Sequence, residues 1–252
     1  MIGLDSVDST NEEARRRAGI GAPSGTVIWA RRQEHGRGRR GRRWESPDGN
    51  LYCSVILCPD CDPAVVAQIS LVAAVALGET VAHCLTGDLQ PSLKWPNDVL
   101  VRGRKIAGIL LESEPTADRG IARVVLGVGL NLRHFPADCE YPATSLVNEG
   151  VAEPDVAGTL KLFLARLGVW YARWQRLGLA PVREAWLTRA VGLGLPITVR
   201  LHRESFVGCF AGLDNDGSLL LDPEDGGAQR RVTAGDVFFP WLTGPSGFSA
   251  GA

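Results

Sequence analysis

Residues 94–112 read Lys94-Trp95-Pro96-Asn97-Asp98-Val99-Leu100-Val101-Arg102-Gly103-Arg104-Lys105-Ile106-Ala107-Gly108-Ile109-Leu110-Leu111-Glu112. Two β-prone runs, Leu93–Trp95 and Val99–Val101, flank the turn-forming Pro96-Asn97-Asp98. Arg102-Gly103-Arg104 makes a tight turn into the apolar run Lys105–Glu112, so a hairpin is expected here. Lys105 opens that run. Spacing leaves open whether its ammonium snorkels to water or points into a site as a fixed charge. Asn97 and Asp98 offer oxygen ligands for Mg²⁺ and an amide for a nucleotide. The plain alternative is an Asn-Asp turn at a strand end.

Moving toward the C-terminus, Val124–Leu132 reads as a strand carrying Gly127 and Gly129, and glycine inside a strand marks close approach by a ligand or another backbone. Two helices are expected over Asp155–Arg176 and Pro181–Arg189. Beyond Gly192 the texture changes to short strands, Pro196–Leu201, Ser205–Leu213, Ser218–Leu221 and Gln229–Val232, joined by turns such as Asp214-Asn215-Asp216-Gly217. A small β-barrel is expected there, with a disordered tail after Leu242. Toward the N-terminus, Pro63–Leu85 has Ile69, Val72, Ala73, Ala76, Leu77 and Thr80 at helical spacing. Leu51–Leu57 and Thr26–Arg31 read as strands. Asn11–Arg17 reads as a polar helix capped by Asp8, Ser9 or Thr10.

Gln33–Trp44, QEHGRGRRGRRW, has no hydrophobic period and is a loop. Arg37, Arg39, Arg40, Arg42 and Arg43 alternate there with Gly36, Gly38 and Gly41. Glycine lets backbone N–H groups approach an anion, and arginine adds forked, permanently charged donors for phosphate or carboxylate. Such a loop repels itself when free and is expected to be mobile until a polyanion orders it. A solvated charge run and a nucleic-acid-binding arm are the competing readings.

The chain has 252 residues, 45% of them hydrophobic, enough for one large domain with or without a small one. Its net charge of -1 gives no global pull toward nucleic acid or anionic membrane. The N-terminus lacks a signal-peptide pattern, and no apolar run is read as long enough to cross a membrane, so a cytoplasmic location is expected. The six cysteines are then thiols. Cys58-Pro-Asp-Cys61 lacks a second pair to make a zinc or redox site and reads as a turn after a strand. His35, His83, His134 and His202 show no ligand spacing. Gly127-Val128-Gly129 lacks the third glycine and following helix of a dinucleotide fold, and P-loop, G-x-S-x-G and H-E-x-x-H patterns are absent.

Four segments in order, Asp8-Ser9-Thr10-Asn11, Gln33 with GRGRRGRRW and SPDGNLYCS, KWPNDV with GRKIAGILLE, and GVGLNL, resemble the biotin–protein ligase family over roughly Val7–Asp236. The resemblance implies an α+β fold: a mixed β-sheet backed by helices over 1–190, an SH3-like β-barrel over 191–242, and a tail over 243–252. It implies a two-step ligase. Biotin is activated with ATP to biotinyl-adenylate, releasing pyrophosphate, and the acyl group then passes to a lysine of a biotin carboxyl carrier protein domain of a carboxylase.

By the same resemblance Ser9, Thr10, Asn11, Gln33, Gly36, Arg37, Gly38, Arg39, Lys105 and Gly108 bind biotin. Arg39, Arg40, Arg42, Asn97, Asp98 and Asn131 bind ATP, with Mg²⁺ near Asn97 and Asp98, and Lys105, Arg37 and Arg39 are catalytic. Gly127 lets the backbone lie close to the ligand. Family members that also act as repressors carry a helix-turn-helix before the catalytic domain. Here D-S-T-N begins at residue 8, so the single-function form without specific DNA binding is expected. No aromatic in Arg133–Asn148 is assigned to stack on adenine. A lipoate or octanoate transferase of the same fold and a nucleic-acid-binding module are the alternatives.

Overall fold

The computed structural model describes residues 1–115, 121–137, 139, 141–201 and 203–243; the expected disordered tail lies almost wholly outside them, as does His202. The elements are β1 (Ile2–Val7), α1 (Thr10–Gly19), β2 (Val27–Gln33), β3 (Leu51–Leu57), α2 (Gln68–Cys84), β4 (Pro91–Lys94), β5 (Asp98–Val101), β6 (Arg104–Pro115), β7 (Ile121–Leu130), α3 (Val156–Leu177), α4 (Ala180–Leu187), β8 (Pro196–Arg200), β9 (Ser205–Leu213), β10 (Leu219–Pro223), β11 (Arg230–Val232) and β12 (Asp236–Phe238). A seven-stranded sheet runs β1-β2-β3-β7-β6-β5-β4. Only β1 and β2 pair in parallel, through the α1 crossover, so the sheet is mixed as expected. β1 is absent from the sequence reading because its hydrophobic alternation is weak.

α2 is apolar around most of its circumference and therefore has no solvent face; it lies buried between the sheet and α3. With the turn before it, residues 63–84 reach the length and apolarity of a membrane span, contrary to the sequence reading. In this structure an 18-residue stretch of that segment is 72% buried inside the protein. α3 is amphipathic and turns Leu160, Phe163, Leu167, Trp170 and Trp174 inward. The Trp174 indole donates to Gln68 Oε1 at 2.8 Å, so its buried N–H is satisfied.

Strand alternation separates the two faces of the sheet. In β3, Leu51, Cys53, Val55 and Leu57 join the α2 side, while Ile56 packs with Ala14 and Ala18 of α1 on the other. In β7, Val124, Leu126, Val128 and Leu130 join the α2 side, and Val125 joins α1. α1 covers only part of this second face. The remainder presents Gly127, Gly129, Gly108 and Leu110, which together with polar neighbours line a cavity.

The C-terminal strands form one antiparallel sheet, β11-β10-β9-β8-β12. Among the described residues β11 and β12 do not pair, so the sheet stays open instead of closing into the expected barrel; its small SH3-like character is otherwise retained. It is docked through the edge-on contact of Phe210 with Trp186 (centroids 6.3 Å apart) and through the Trp95 indole, which donates to Gly217 O at 3.1 Å. No disulfide joins the cysteines among the described residues, and Cys58 and Cys61 lie in the turn after β3.

Candidate active site

The floor is built of glycine. Gly129 faces Tyr52 on β3 and Gly108 on β6, and Gly127 faces Ser54 and Leu110. A Cβ on Gly127 would overlap the Asn11 amide; one on Gly129 would lie 2.5 Å from the Trp44 indole, and one on Gly108 3.1 Å from the same ring. The sequence reading assigned Gly127 to close approach by a ligand. In this structure the groups pressed against the strands are the Asn11 and Trp44 side chains, which lie flat only because no Cβ is there.

The N-terminal corner is a closed hydrogen-bond network. Gln33 Oε1 accepts from the Thr10 N–H (2.8 Å) and hydroxyl (3.1 Å), and its amide donates to Ser46 Oγ at 2.9 Å. The buried Ser54 hydroxyl faces Thr10 Oγ1 at 2.8 Å and Asn11 Oδ1 at 2.6 Å, and Asn11 donates to Glu112 at 2.8 Å. Asp8 forks onto Arg16 at 2.8 and 2.9 Å, and this holds its carboxyl down to about 2.

The cationic centre lies on the β5–β6 hairpin. Asp98 is buried, with Lys105 Nζ 2.6 Å from one oxygen and Lys94 Nζ 3.4 Å from the other. Burial alone would raise the Asp98 carboxyl, but Lys105 and Lys94 outweigh it and hold it below the usual range. Burial lowers Lys94, and Asp98 opposes that in part. Lys94 Nζ also sits 4.1 Å from the centre of the Tyr141 ring. Lys105 is braced from outside the sheet: its N–H donates to Pro142 O (2.7 Å), its carbonyl accepts from Thr144 N–H (2.9 Å), and Thr144 rests on the buried Glu149 carboxylate at 2.5 Å.

These contacts bear on two expectations. Asn97 donates to Ile109 O at 2.6 Å and accepts from Arg39 at 3.3 Å, and Asp98 is committed to two lysines. The pair therefore does not fit a protein-held Mg²⁺, which needs free oxygen ligands. No three His, Cys, Asp or Glu side chains converge among the described residues. Asn131, expected at ATP, lines the cavity but donates its amide to Thr144 O at 3.0 Å, bracing the Lys105 strap.

The basic loop crosses above this floor. Gly38 N–H donates to Arg42 O (2.7 Å) and Trp44 N–H to Gly36 O (2.9 Å), closing a narrow hairpin. A Cβ on Gly36 would meet the Trp44 carbonyl and the Ser46 hydroxyl, so this glycine shapes the loop and does not line the cavity. Arg37 pairs with Glu12 and with Glu112. Arg39, Arg40 and Arg42 turn to the C-terminal sheet, where Asp236 lies 3.7, 3.0 and 2.9 Å from them. The contacts that hold the loop in this structure are largely ionic, where the sequence reading noted only that it has no hydrophobic period.

The cavity measures about 380 Å³. Of the residues expected in the site, it brings together Ser9, Thr10, Asn11, Gln33, Arg37, Gly38, Arg39, Arg42, Asn97, Asp98, Lys105, Gly108, Gly127 and Asn131. Gly36 and Arg40 stay outside its lining. Lys94, Tyr141, Phe238 and Asp236 are among the lining residues that the sequence reading missed. Tyr141 lies within Arg133–Asn148, where no aromatic was assigned. It is buried, and its hydroxyl has no partner among the described residues.

The chain matches the model of the biotin/lipoate A/B protein ligase family over residues 3–131 and that of the biotin protein ligase C-terminal domain over 192–239. It is 40% identical to a biotin--[acetyl-CoA-carboxylase] ligase of Paracoccus denitrificans over 241 residues, covering 94% of this chain and 99% of the relative. It is 32% identical to the bifunctional ligase/repressor BirA of Escherichia coli, covering 96% of this chain and 71% of that protein. The biotin protein ligase of Aquifex aeolicus, solved in complex with biotin and ATP, superposes with a TM-score of 0.79 at 28% identity, over 94% of this chain and 97% of the other. A glycine-floored cavity, a lysine–aspartate–lysine cluster and an arginine loop, in a fold shared along nearly the whole chain with these proteins, lead to one conclusion: the chain belongs to the biotin/lipoate A/B protein ligase family.

Proposed function

We propose that this protein is an ATP-dependent biotin ligase: it joins the biotin carboxylate to the α-phosphate of ATP, releases pyrophosphate, and delivers the acyl group to a lysine of a biotin carboxyl carrier protein domain, releasing AMP. The observation that carries this reading is the placement of Lys105, Arg37, Arg39 and Arg42 around one cavity, with the Ser9–Thr10–Gln33 network at its neutral end. Two anions must be brought together, and fixed cations offset their repulsion more as charge builds on the phosphate.

Ser9 and Thr10 face the ureido ring, Thr10 held by Gln33 and Ser9 by its N–H donating to Asp8, and Asn11, bonded to Glu112 and Ser54, backs them. Lys105, fixed by Asp98, stands between carboxylate and phosphate. Arg37, Arg39 and the Gly38 backbone cover the carboxylate and the acyl phosphate, and Arg40 and Arg42 supply positive charge toward the outer phosphates. Tyr141 and Phe238, beside Lys94, form the face for adenine. The covering loop keeps water from the mixed anhydride until the carrier amine arrives.

We place the catalytic domain at 1–190 and the C-terminal domain at 191–242, and assign the protein to the cytoplasm. DNA binding, with a net charge of -1, is weak and blind to sequence. The test is incubation with biotin and ATP, mass spectrometry for biotinyl-adenylate and pyrophosphate, and then addition of a carrier domain. A single biotinyl addition on one carrier lysine is expected. Adenylate formed from octanoate or lipoate but not from biotin overturns the substrate, and no adenylate from any of the three overturns the reading.

A further inference from the structure

We propose that Asp236 is a positioning residue through which the C-terminal sheet holds the arginine loop over the cavity and so sets the affinity for ATP. The proposal deepens the ligase reading and rests on it for the identity of the nucleotide. Between Arg37 and Arg43 no side chain is buried, so the apolar hold on the loop is confined to Trp44 at its end. Its shape is costly to hold. Arg40 sits in the left-handed region at φ 57°, ψ 31°, which a residue with a Cβ adopts only when its surroundings impose it.

The imposing contacts converge on the start of β12. Asp236 accepts from Arg40 at 3.0 Å and from Arg42 at 2.9 Å and lies 3.7 Å from Arg39, which also donates to Gly235 O at 3.2 Å. The carboxylate is only 14% exposed, so these ion pairs are screened less than fully solvated ones. The Asp236 carboxylate gathers three guanidinium groups beside the cavity that it itself lines, where their donors suit a polyanion. Without Asp236 the three like charges repel, Arg40 loses the contact that holds its backbone, and a nucleotide must order the loop at the expense of its own binding.

The experiment uses the full chain and the variants Asp236→Asn, Asp236→Glu and Asp214→Asn. The last removes a C-terminal-sheet ion pair, to Arg231 at 2.7 Å, that does not touch the loop. In ligand-free protein, tryptic cleavage after Arg40, Arg42 and Arg43 is expected to accelerate about tenfold in Asp236→Asn, to return toward the wild-type rate in Asp236→Glu, and to be unchanged in Asp214→Asn. In adenylate formation, the KM for ATP is expected to rise roughly fivefold to tenfold in Asp236→Asn, with kcat and the KM for biotin changed less. The difference is expected to shrink as salt rises.

Nicking of Asp236→Asn at the wild-type rate overturns the proposal. So does equal acceleration in Asp214→Asn, which marks a general loosening of the domain. Faster nicking with an unchanged KM for ATP also overturns it. Digestion is read without substrates and reports on the loop independently of the reaction. A wild-type protein that makes no adenylate speaks against the ligase reading instead.

Discussion

Replacing Asp98 by Asn removes the one negative charge between two lysines while keeping the shape. In this structure Asp98 is the hub: Lys105 is 2.6 Å and Lys94 3.4 Å away, and the side chains of Asp98 and Lys94 are 11% and 8% exposed. Removing one partner of a buried ion pair costs about 3–5 kcal/mol, because the remaining charge has lost its compensation. A second route sets a ceiling. Lys94 escapes the penalty by shedding its proton, and taking a lysine from its ordinary value near 10.4 to neutral form at about pH 7.5 costs roughly 4 kcal/mol. Burial already lowers Lys94 in the native protein, so part of that cost is present before the change, and about 3 kcal/mol is expected.

The pH dependence has a definite sign. Lys94 in the variant has a folded value further below its unfolded one, so the penalty is present at neutral pH and fades as pH rises toward about 10.4. Urea unfolding of both proteins should show a gap of about 3 kcal/mol near pH 7.5 that narrows by more than half near pH 10. A gap below about 1 kcal/mol near pH 7.5, or one that does not change with pH, would refute the claim that Asp98 compensates Lys94.

Lys105→Gln should slow single-turnover adenylate formation by on the order of 10²–10³ with a smaller loss of biotin affinity; wild-type rates would remove Lys105 from the chemistry. Gly127→Ala should displace the Asn11 amide from the floor, lowering stability by about 1–3 kcal/mol in urea and weakening biotin binding. Unchanged biotin titrations would show that the Asn11 network does not shape the site. Asp8, held down to about 2 by its Arg16 hydrogen bonds, stabilises the fold above the ordinary carboxylate range, and that contribution is lost as pH falls from about 3.8 through about 2. Asp8→Asn should accordingly show a shallower loss of stability over that window in acid titrations followed by circular dichroism.

Much of the catalytic half was legible because its signals are local. The turn at Arg102–Arg104 and the flanking apolar runs do make the β5–β6 hairpin, and the helical spacing of Ile69, Val72, Ala76 and Thr80 does mark α2. What the sequence did not reveal depends on groups far apart along the chain. The partners of Arg40 and Arg42 lie almost two hundred residues away at Asp236, in β12, a strand too short to stand out by pattern. Asp98 looked like a free oxygen donor because a buried carboxylate and an exposed one have the same letter, and only the fold reveals that two lysines claim it. Gly127 and Gly129 read as places of close approach by a ligand or another backbone, but the groups that press on them are the side chains of Asn11 and Trp44, which no spacing rule connects to β7.

The sheet order also dictates when the enzyme becomes whole. β3 is paired on one side with β2, its neighbour in sequence, but on the other with β7, where Leu57 meets Val124 and Leu51 meets Leu130. As the chain leaves the ribosome, the first hairpin therefore carries an open apolar edge through the synthesis of α2 and the β4–β5–β6 segment. Such an edge is a template for pairing with other chains until its own partner arrives. The loop that closes the cavity waits longer still, because its Asp236 anchor emerges after every catalytic strand. Aggregation during expression is thus expected to depend on elongation speed and chaperone supply between β3 and β7, a window that substitutions in the cavity leave untouched.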